Sequence, residues 1–396
     1  MKRVEALVRP ELLIWAREGA GHSQEEAAKK AQVSVDRLAS WEDGASRPSI
    51  PQLRKLSRIY KRPLAVFYLS EPPKDFQAMH DFRRLPGEVA GHESPELRLE
   101  IRKARYRRQI ALDLLSSLDE EVPRFDLIST LHEDPEQLAE RARLALGVTY
   151  ETQSSWKSPH QALNEWKGAL ERLGILVFQA RGVDVSEMRG FSLAEDLLPV
   201  IVVNIKDHPH ARCFSLLHEL AHLMLRREGL CDLVEGSPRP SEEQQVEVFC
   251  NRVAGAILLP RHLLLQEAFM QGQPAERWND EALLHTANVY RVSREALLRR
   301  LVILDRISEA FYQRKRRQLQ KEYEARDDRS ESGFAPPDRV AVSAAGNTFV
   351  RLVLDSFYQE KITSSDVSDY LEVRLKWMPK IEEAVLGHRQ DVLALG

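Results

Sequence analysis

Residues 213–225 read CFSLLHELAHLML, a run apolar almost throughout except for His218, Glu219 and His222. Positions i and i+4 of a helix share a face, so His218 and His222 present two imidazoles to one point. Glu219 lies beside that face, within reach of a water molecule at the same point, where it would act as general base. Imidazole nitrogen and carboxylate oxygen suit zinc, and a catalytic zinc site takes three protein ligands, so a third must come from elsewhere. Taken alone, the two histidines are equally well ordinary residues of an amphipathic helix.

Working outward, GILVFQA (174–180) and LPVIVVN (198–204) read as strands, the second expected to pair with substrate as a sheet edge. Downstream, SEEQQVEVFCNRVAGAILLP (241–260) is a helix with Ser241 and Gln244 as its capping box and Pro260 as its stop. On it Glu247, Cys250, Asn251 and Ala254 share one face, and an acid on a packing face requires a buried partner, which a zinc ion would supply. His208 and His210, in KDHPHARC, are expected on an exposed loop leading into the first helix.

RCFSLLHELAHLML followed by EVFCNRVAGAILLP resembles the ImmA/IrrE family of zinc metallopeptidases, and the similarity continues through TANVYRVSREALLRRL (286–301). The resemblance implies a zincin-like fold with His218, His222 and Glu247 as ligands of Zn2+, Glu219 as the base, and Asn251 supporting the ligands without touching the ion. Ser215 stands where the family often has threonine, and Ala221 where it often has glycine.

A second stretch, HSQEEAAKKAQVSVDRLASWEDGASRPSIPQLRKLSRIY (22–60), reads as capped short helices. Ser23 and Glu26 form a capping box, Ser34 caps the next helix, Leu38 and Trp41 face inward and Gly44 stops it. Further helices are expected over 52–60 and 63–69. The stretch resembles the XRE (Cro/CI-type) helix-turn-helix. That resemblance places the helix of residues 34–42 in the major groove, with Val35, Asp36, Arg37 and Ser40 toward base edges and Gln24 against a phosphate. Residues 1–70 hold 13 Lys and Arg against 8 Asp and Glu, an excess of five positive charges in a chain whose formal net charge is -3. The excess is modest for a lone module, so a homodimer on double-stranded DNA is expected. VYRVSREALLRRL also has the look of a turn and recognition helix, but its place within the peptidase resemblance favours a packing role.

The expected architecture is mainly α with a small β-sheet, an α+β chain. It comprises an all-α helix-turn-helix domain (1–70), a connector and long basic helix (71–132), a zincin-like domain (133–325), a linker (326–339) and a small helical region (340–396). The arginines of RLEIRKARYRR (98–108) read as the solvated side of that long helix, with an extension of the nucleic-acid surface as the alternative. Three cysteines without paired spacing favour a reduced, cytoplasmic setting, and no apolar run approaches the roughly 18 residues of a membrane span.

Two functions follow. One is a DNA-binding zinc endopeptidase that cleaves a repressor-type regulator in a stress, phage or defence response. The other is a repressor, or the antitoxin of a toxin–antitoxin pair, using the peptidase fold as a sensor or to hold a cognate toxin. An intact Glu219 favours the first, because a scaffold has no need of a base between two ligands.

Overall fold

The computed structural model describes residues 5–60, 62, 64–71, 94–227, 229–231, 241–266, 278–327 and 336–386. They fall into two compact units, one within residues 5–103 and the other from 104 onward.

In the first unit, α1 (Pro10–Gly19), α2 (Gln24–Ala31), α3 (Val35–Glu42) and α4 (Ile50–Ile59) enclose a small core of Leu13, Ala27, Leu38, Trp41, Leu53 and Tyr60. α2 and α3 start at their expected caps, α1 starts at a proline, and α4 starts at Ile50, two residues before the expected position, behind a Ser49–Gln52 capping box. Pro10 stands at the head of α1, Ser23 and Glu26 form the capping box of α2, and the Ser34 hydroxyl accepts from the Arg37 amide at the head of α3. The helix expected over 63–69 is instead a 3-10 turn, Leu64–Tyr68, too short to accumulate α-helical hydrogen bonds.

One polar cluster is buried beside this core. Glu42 is buried and accepts from Arg17 Nε at 2.8 Å, Arg17 Nη2 at 3.1 Å and Gln24 Nε2 at 2.9 Å, which ties α1, α2 and α3 together. Glu42 thereby holds the Arg17 guanidinium above its ordinary pKa even though burial alone pushes it down.

The long helix α5 (Pro95–Ser117) leads into the second unit. There α6 (Pro135–Leu146), α7 (Tyr150–Ser155) and α8 (Pro159–Arg172) precede β1 (Leu176–Ala180), β2 (Gly190–Leu193) and β3 (Val200–Asn204). α9 (Pro209–Met224), β4 (Gly229–Cys231), α10 (Ser241–Leu258), α11 (Arg261–Gln266), α12 (Asp280–Val289), α13 (Arg294–Ile303) and α14 (Glu309–Asp327) follow. The sheet runs β1-β3-β2-β4, with β1 parallel to β3 and the other two pairings antiparallel. β3 is therefore interior, not the substrate-pairing edge expected of it. The two strands missing from the sequence reading, β2 and β4, occupy the far side.

β1 and β3 are buried along their whole length because both faces of the sheet are covered, and their polar residues Gln179 and Asn204 are hydrogen-bonded. Val177 joins the main core with residues of α8, α9 and α10. Phe178, on the opposite face, meets Phe349 edge-on at 6.0 Å. Phe349 belongs to the helical tail α15 (Pro337–Ala345), α16 (Asn347–Tyr358), α17 (Ser364–Tyr370) and α18 (Met378–Leu386). Tail and sheet meet so closely that a Cβ on Gly346, whose φ is +76°, would lie 2.4 Å from the Val177 carbonyl oxygen. α14 and α15 overlap the ends of the linker expected over 326–339, and its remainder, 328–335, lies outside the described residues.

Arg107 and Arg108 are not solvated in the manner read from the sequence. Arg107 is buried, reaches the Ala344 carbonyl and Glu372, and lies over the Phe178 ring. Arg108 donates to the carbonyls of Leu197 and Leu198. The arginines at this end of α5 fasten the tail and the β2–β3 connection. α13 packs against α10 and α14, in keeping with the packing role expected of it.

Replacing Glu42 by Ala strands the Arg17 guanidinium in the core. The first unit is expected to lose about 3 kcal/mol or more, seen as faster native-state hydrogen exchange of the α1–α3 amides in the full chain, with the amides of α9 and α10 unaffected.

Candidate functional site

α9 begins where His208 caps it, its Nδ1 accepting from the His210 amide, and Pro209 takes the first helical position. No β-branched residue interrupts residues 209–224, and every side chain from Arg212 to Met224 is buried, between the sheet on one side and α8 and α10 on the others. α10 crosses it and brings Glu247 to the pair of histidines.

The geometry is tight. His218 Nε2 lies 3.1 Å from His222 Nε2 and 3.4 Å from Glu247 Oε2, and His222 Nε2 lies 3.2 Å from Glu247 Oε1. All three residues are buried, and this is the group of three among the described residues whose atoms could hold a metal ion. Burial pushes the Glu247 carboxyl up, but hydrogen bonds and charge from His218 and His222 outweigh it and hold the pKa well below the ordinary value.

Two imidazole nitrogens facing each other at 3.1 Å require a proton or a cation between them. Asn251 decides how the first ring is set: its Oδ1 lies 3.0 Å from His218 Nδ1, so it accepts that N–H and leaves the Nε2 lone pair pointing at the common centre. Ligands about 2.0–2.1 Å from a tetrahedral zinc stand about 3.3 Å apart, and the three observed separations bracket that value. The donor set, two imidazoles and one carboxylate, fits Zn2+.

Glu219 lies next to this centre. Its Oε2 accepts from the Ser192 hydroxyl at 2.8 Å, while Oε1 is buried without a hydrogen-bond partner. Burial raises its pKa, opposed by the neighbouring histidines and by Ser192. Ser192 and Gly190 both sit on β2, and a Cβ at Gly190 would come 3.2 Å from Glu219 Oε1 and 3.1 Å from the Val202 carbonyl. Neither residue stands out in the sequence. GFSL is too short and too unpatterned to register as a strand, so no signal ties it to Glu219. Cys250 packs in the core near His222; burial pushes its thiol pKa up.

His208 is exposed, as expected, but His210 is not on a loop. It lies in the first turn of α9, half-buried, and burial next to His208, Arg291 and His160 lowers its pKa to about 4. The capping box read at Ser241 and Gln244 rests on a side chain outside the described residues, and Ser241 is already helical.

In the first unit, Val35, Asp36 and Arg37 form the exposed first turn of α3, where an acid also complements the helix dipole. Ser40 is half-buried and bonded to the Arg37 carbonyl and to Ser46 Oγ. Gln24 commits one amide hydrogen to Glu42, an internal role that its sequence context does not signal.

Residues 13–67 match the helix-turn-helix family model, and residues 170–302 match the IrrE N-terminal-like domain of the M78 peptidase family. The chain thus joins an XRE-type helix-turn-helix to an ImmA/IrrE-like peptidase-family domain. No curated protein and no solved structure matches it. The peptidase-family match contains His218, Glu219, His222, Glu247 and Asn251, and the helix-turn-helix match contains Gln24 and the exposed turn of α3. Among the described residues, no helix is long and apolar enough to cross a membrane.

Asn251→Leu removes the acceptor that sets His218. Zn2+ affinity is expected to fall about 10–100-fold in a chelator competition assay, with the circular dichroism spectrum unchanged. His222→Ala serves as the control and should lose the metal.

Proposed function

We propose that the chain is a DNA-binding zinc metalloendopeptidase that regulates transcription by cleaving a repressor-type protein in a stress, phage or defence response. One observation carries this reading: Glu219 stands beside three converging ligand atoms with one oxygen held by Ser192 and the other without a partner. His218, His222 and Glu247 would hold Zn2+, which supplies Lewis-acid polarisation of the scissile carbonyl when bound. Glu219 takes a proton from the attacking water at Oε1 and returns it to the departing amine. Ser192 fixes the carboxylate for that transfer, Asn251 keeps the His218 tautomer, and the apolar surroundings exclude bulk water.

The helix-turn-helix is proposed to bring the chain, as a homodimer in the cytoplasm, to an operator on double-stranded DNA. Val35, Asp36, Arg37 and Ser40 would face base edges, and Gln24 a phosphate. Arg37→Ala combined with Gln24→Ala is expected to weaken operator binding and to relax discrimination at the base pair that Arg37 faces, read by fluorescence anisotropy, while binding by the unaltered chain should weaken steeply across a salt series. Unchanged affinity would mark the domain as a protein-interaction module.

A second reading, a repressor or antitoxin that uses the fold for binding with little turnover, is favoured by the burial of His218, Glu219, His222 and Glu247, none more than 3% exposed. Glu219→Gln separates the two. The amide keeps size and hydrogen-bonding reach but accepts no proton, so zinc content, folding and DNA binding should persist. Cleavage of a repressor substrate should fall by about two orders of magnitude or more. A strain carrying this variant whose regulated genes respond as in the wild type would favour the binding reading.

A further inference from the structure

Along α9, Ala211, Phe214, His218 and His222 stand at i, i+3, i+7 and i+11, one continuous face. The Phe214 and His218 rings are 6.3 Å apart. On the side of Phe214 toward the start of the helix lies a cavity of about 90 Å³, whose lining includes Phe214, Arg189, Ser293, Glu295, Arg299 and Arg316. Arg189 immediately precedes Gly190, the residue set against Glu219. One wall of the cavity therefore borders the ligand His218, and another borders the strand that holds the glutamate.

The lining is cationic. Three guanidiniums share it with one carboxylate, and Glu295 Oε1 is divided between Arg299 Nη2 at 3.3 Å and Arg316 Nε at 3.5 Å. Those separations exceed the roughly 2.7–2.9 Å of a well-formed guanidinium–carboxylate hydrogen bond, so a single carboxylate is shared loosely between two cations. Arg189 pairs with Asp207 at 3.3 Å, and Asp207 stands outside the lining. The amino end of α13, capped by Ser293, adds the positive end of a helix dipole to the same wall. A volume of about 90 Å³ matches that of about three liquid waters, room enough for a carboxylate and the methylene that carries it.

We propose that this cavity is a specificity pocket of the peptidase-family domain and that it takes a carboxylate from the bound polypeptide, either an Asp or Glu side chain near the scissile bond or a chain terminus. The proposal rests on the peptidase reading for the word specificity, but the pocket's preference for a carboxylate is measurable without turnover.

The test uses the full chain, zinc-loaded and carrying Glu219→Gln, with fluorescein-labelled decapeptide pools read by anisotropy. Three pools are C-terminally amidated and differ only in having Glu, Gln or Lys at the randomised central positions. A fourth has the Gln pool's composition and a free C-terminal carboxylate. The Glu pool, the free-acid pool or both should bind about ten-fold more tightly than the amidated Gln pool, and which of the two does so identifies the source of the carboxylate. Arg299→Gln with Arg316→Gln should abolish the difference. Should that pair disturb folding, Arg316→Gln alone, at a side chain one-third exposed, should reduce it. Equal affinity for all four pools overturns the pocket.

Cleavage by the wild-type chain is scored separately on the same pools. Carboxylate-selective binding without cleavage keeps the pocket and sinks the peptidase reading. Cleavage indifferent to charge, with binding equally indifferent, keeps the peptidase reading and removes the pocket.

Discussion

Three polar side chains meeting in a dry interior set the terms for the second unit. His218, His222 and Glu247 bring their atoms within 3.1–3.4 Å of one another where solvent does not reach. A polar group buried without compensation costs about 2–7 kcal/mol, and a single cation at the centre would offset all three. The packing around them follows from that requirement. α9 and α10 must cross where their two polar faces coincide, which confines the apolar residues on either side, Leu217 and Leu220 on one helix and Val253 and Ile257 on the other, to the surrounding core. Asn251 sits one turn from Glu247 and holds the near histidine in the tautomer the centre needs.

The chain solves the problem of a buried glutamate twice, in opposite ways. Glu42 receives three donors from Arg17 and Gln24, so both of its oxygens are engaged, and its contribution is to join three helices. Glu219 receives one donor, from Ser192, and keeps an oxygen without a partner. A carboxylate with every acceptor filled is structural. One held on a single side, next to three atoms suited to a cation, keeps an acceptor for the proton transfer proposed for it, and this difference in donor count separates the two glutamates more sharply than burial, which both share.

Much of this is legible in the sequence, because the relevant signals are local. The i, i+4 spacing of His218 and His222, the acid on the packing face of α10 and the capping residues Ser23 and Ser34 each act within one or two helical turns, where periodicity and cap chemistry are reliable. Long-range pairing is not legible. The sequence suggests an edge position for β3 although β2 pairs with it, since nothing within VIVVN states which strands flank it. His210 reads as a loop residue unless Pro209 is taken as the first residue of the helix, which is where the structure has it. The arginines of α5 read as solvated because a run of charge carries no mark of the carbonyls that await it, here those of Leu197, Leu198 and Ala344.

β2 shows why such features escape a reading by charge. Gly190 and Ser192 are two apart on a strand and so share a face, with Phe191 turned into the core behind them. On that face the first residue must be nearly absent and the second must be a small donor. A Cβ at position 190 would press on both the glutamate and the Val202 carbonyl, and a larger residue at 192 would displace the carboxylate that its hydroxyl now holds at 2.8 Å. Both requirements concern size, and both apply to residues that look unremarkable in sequence. The strand therefore contributes to the site by leaving space as much as by making contacts: the charged residues of α9 and α10 define where the chemistry would occur, and the small residues of β2 determine whether Glu219 can stand there at all.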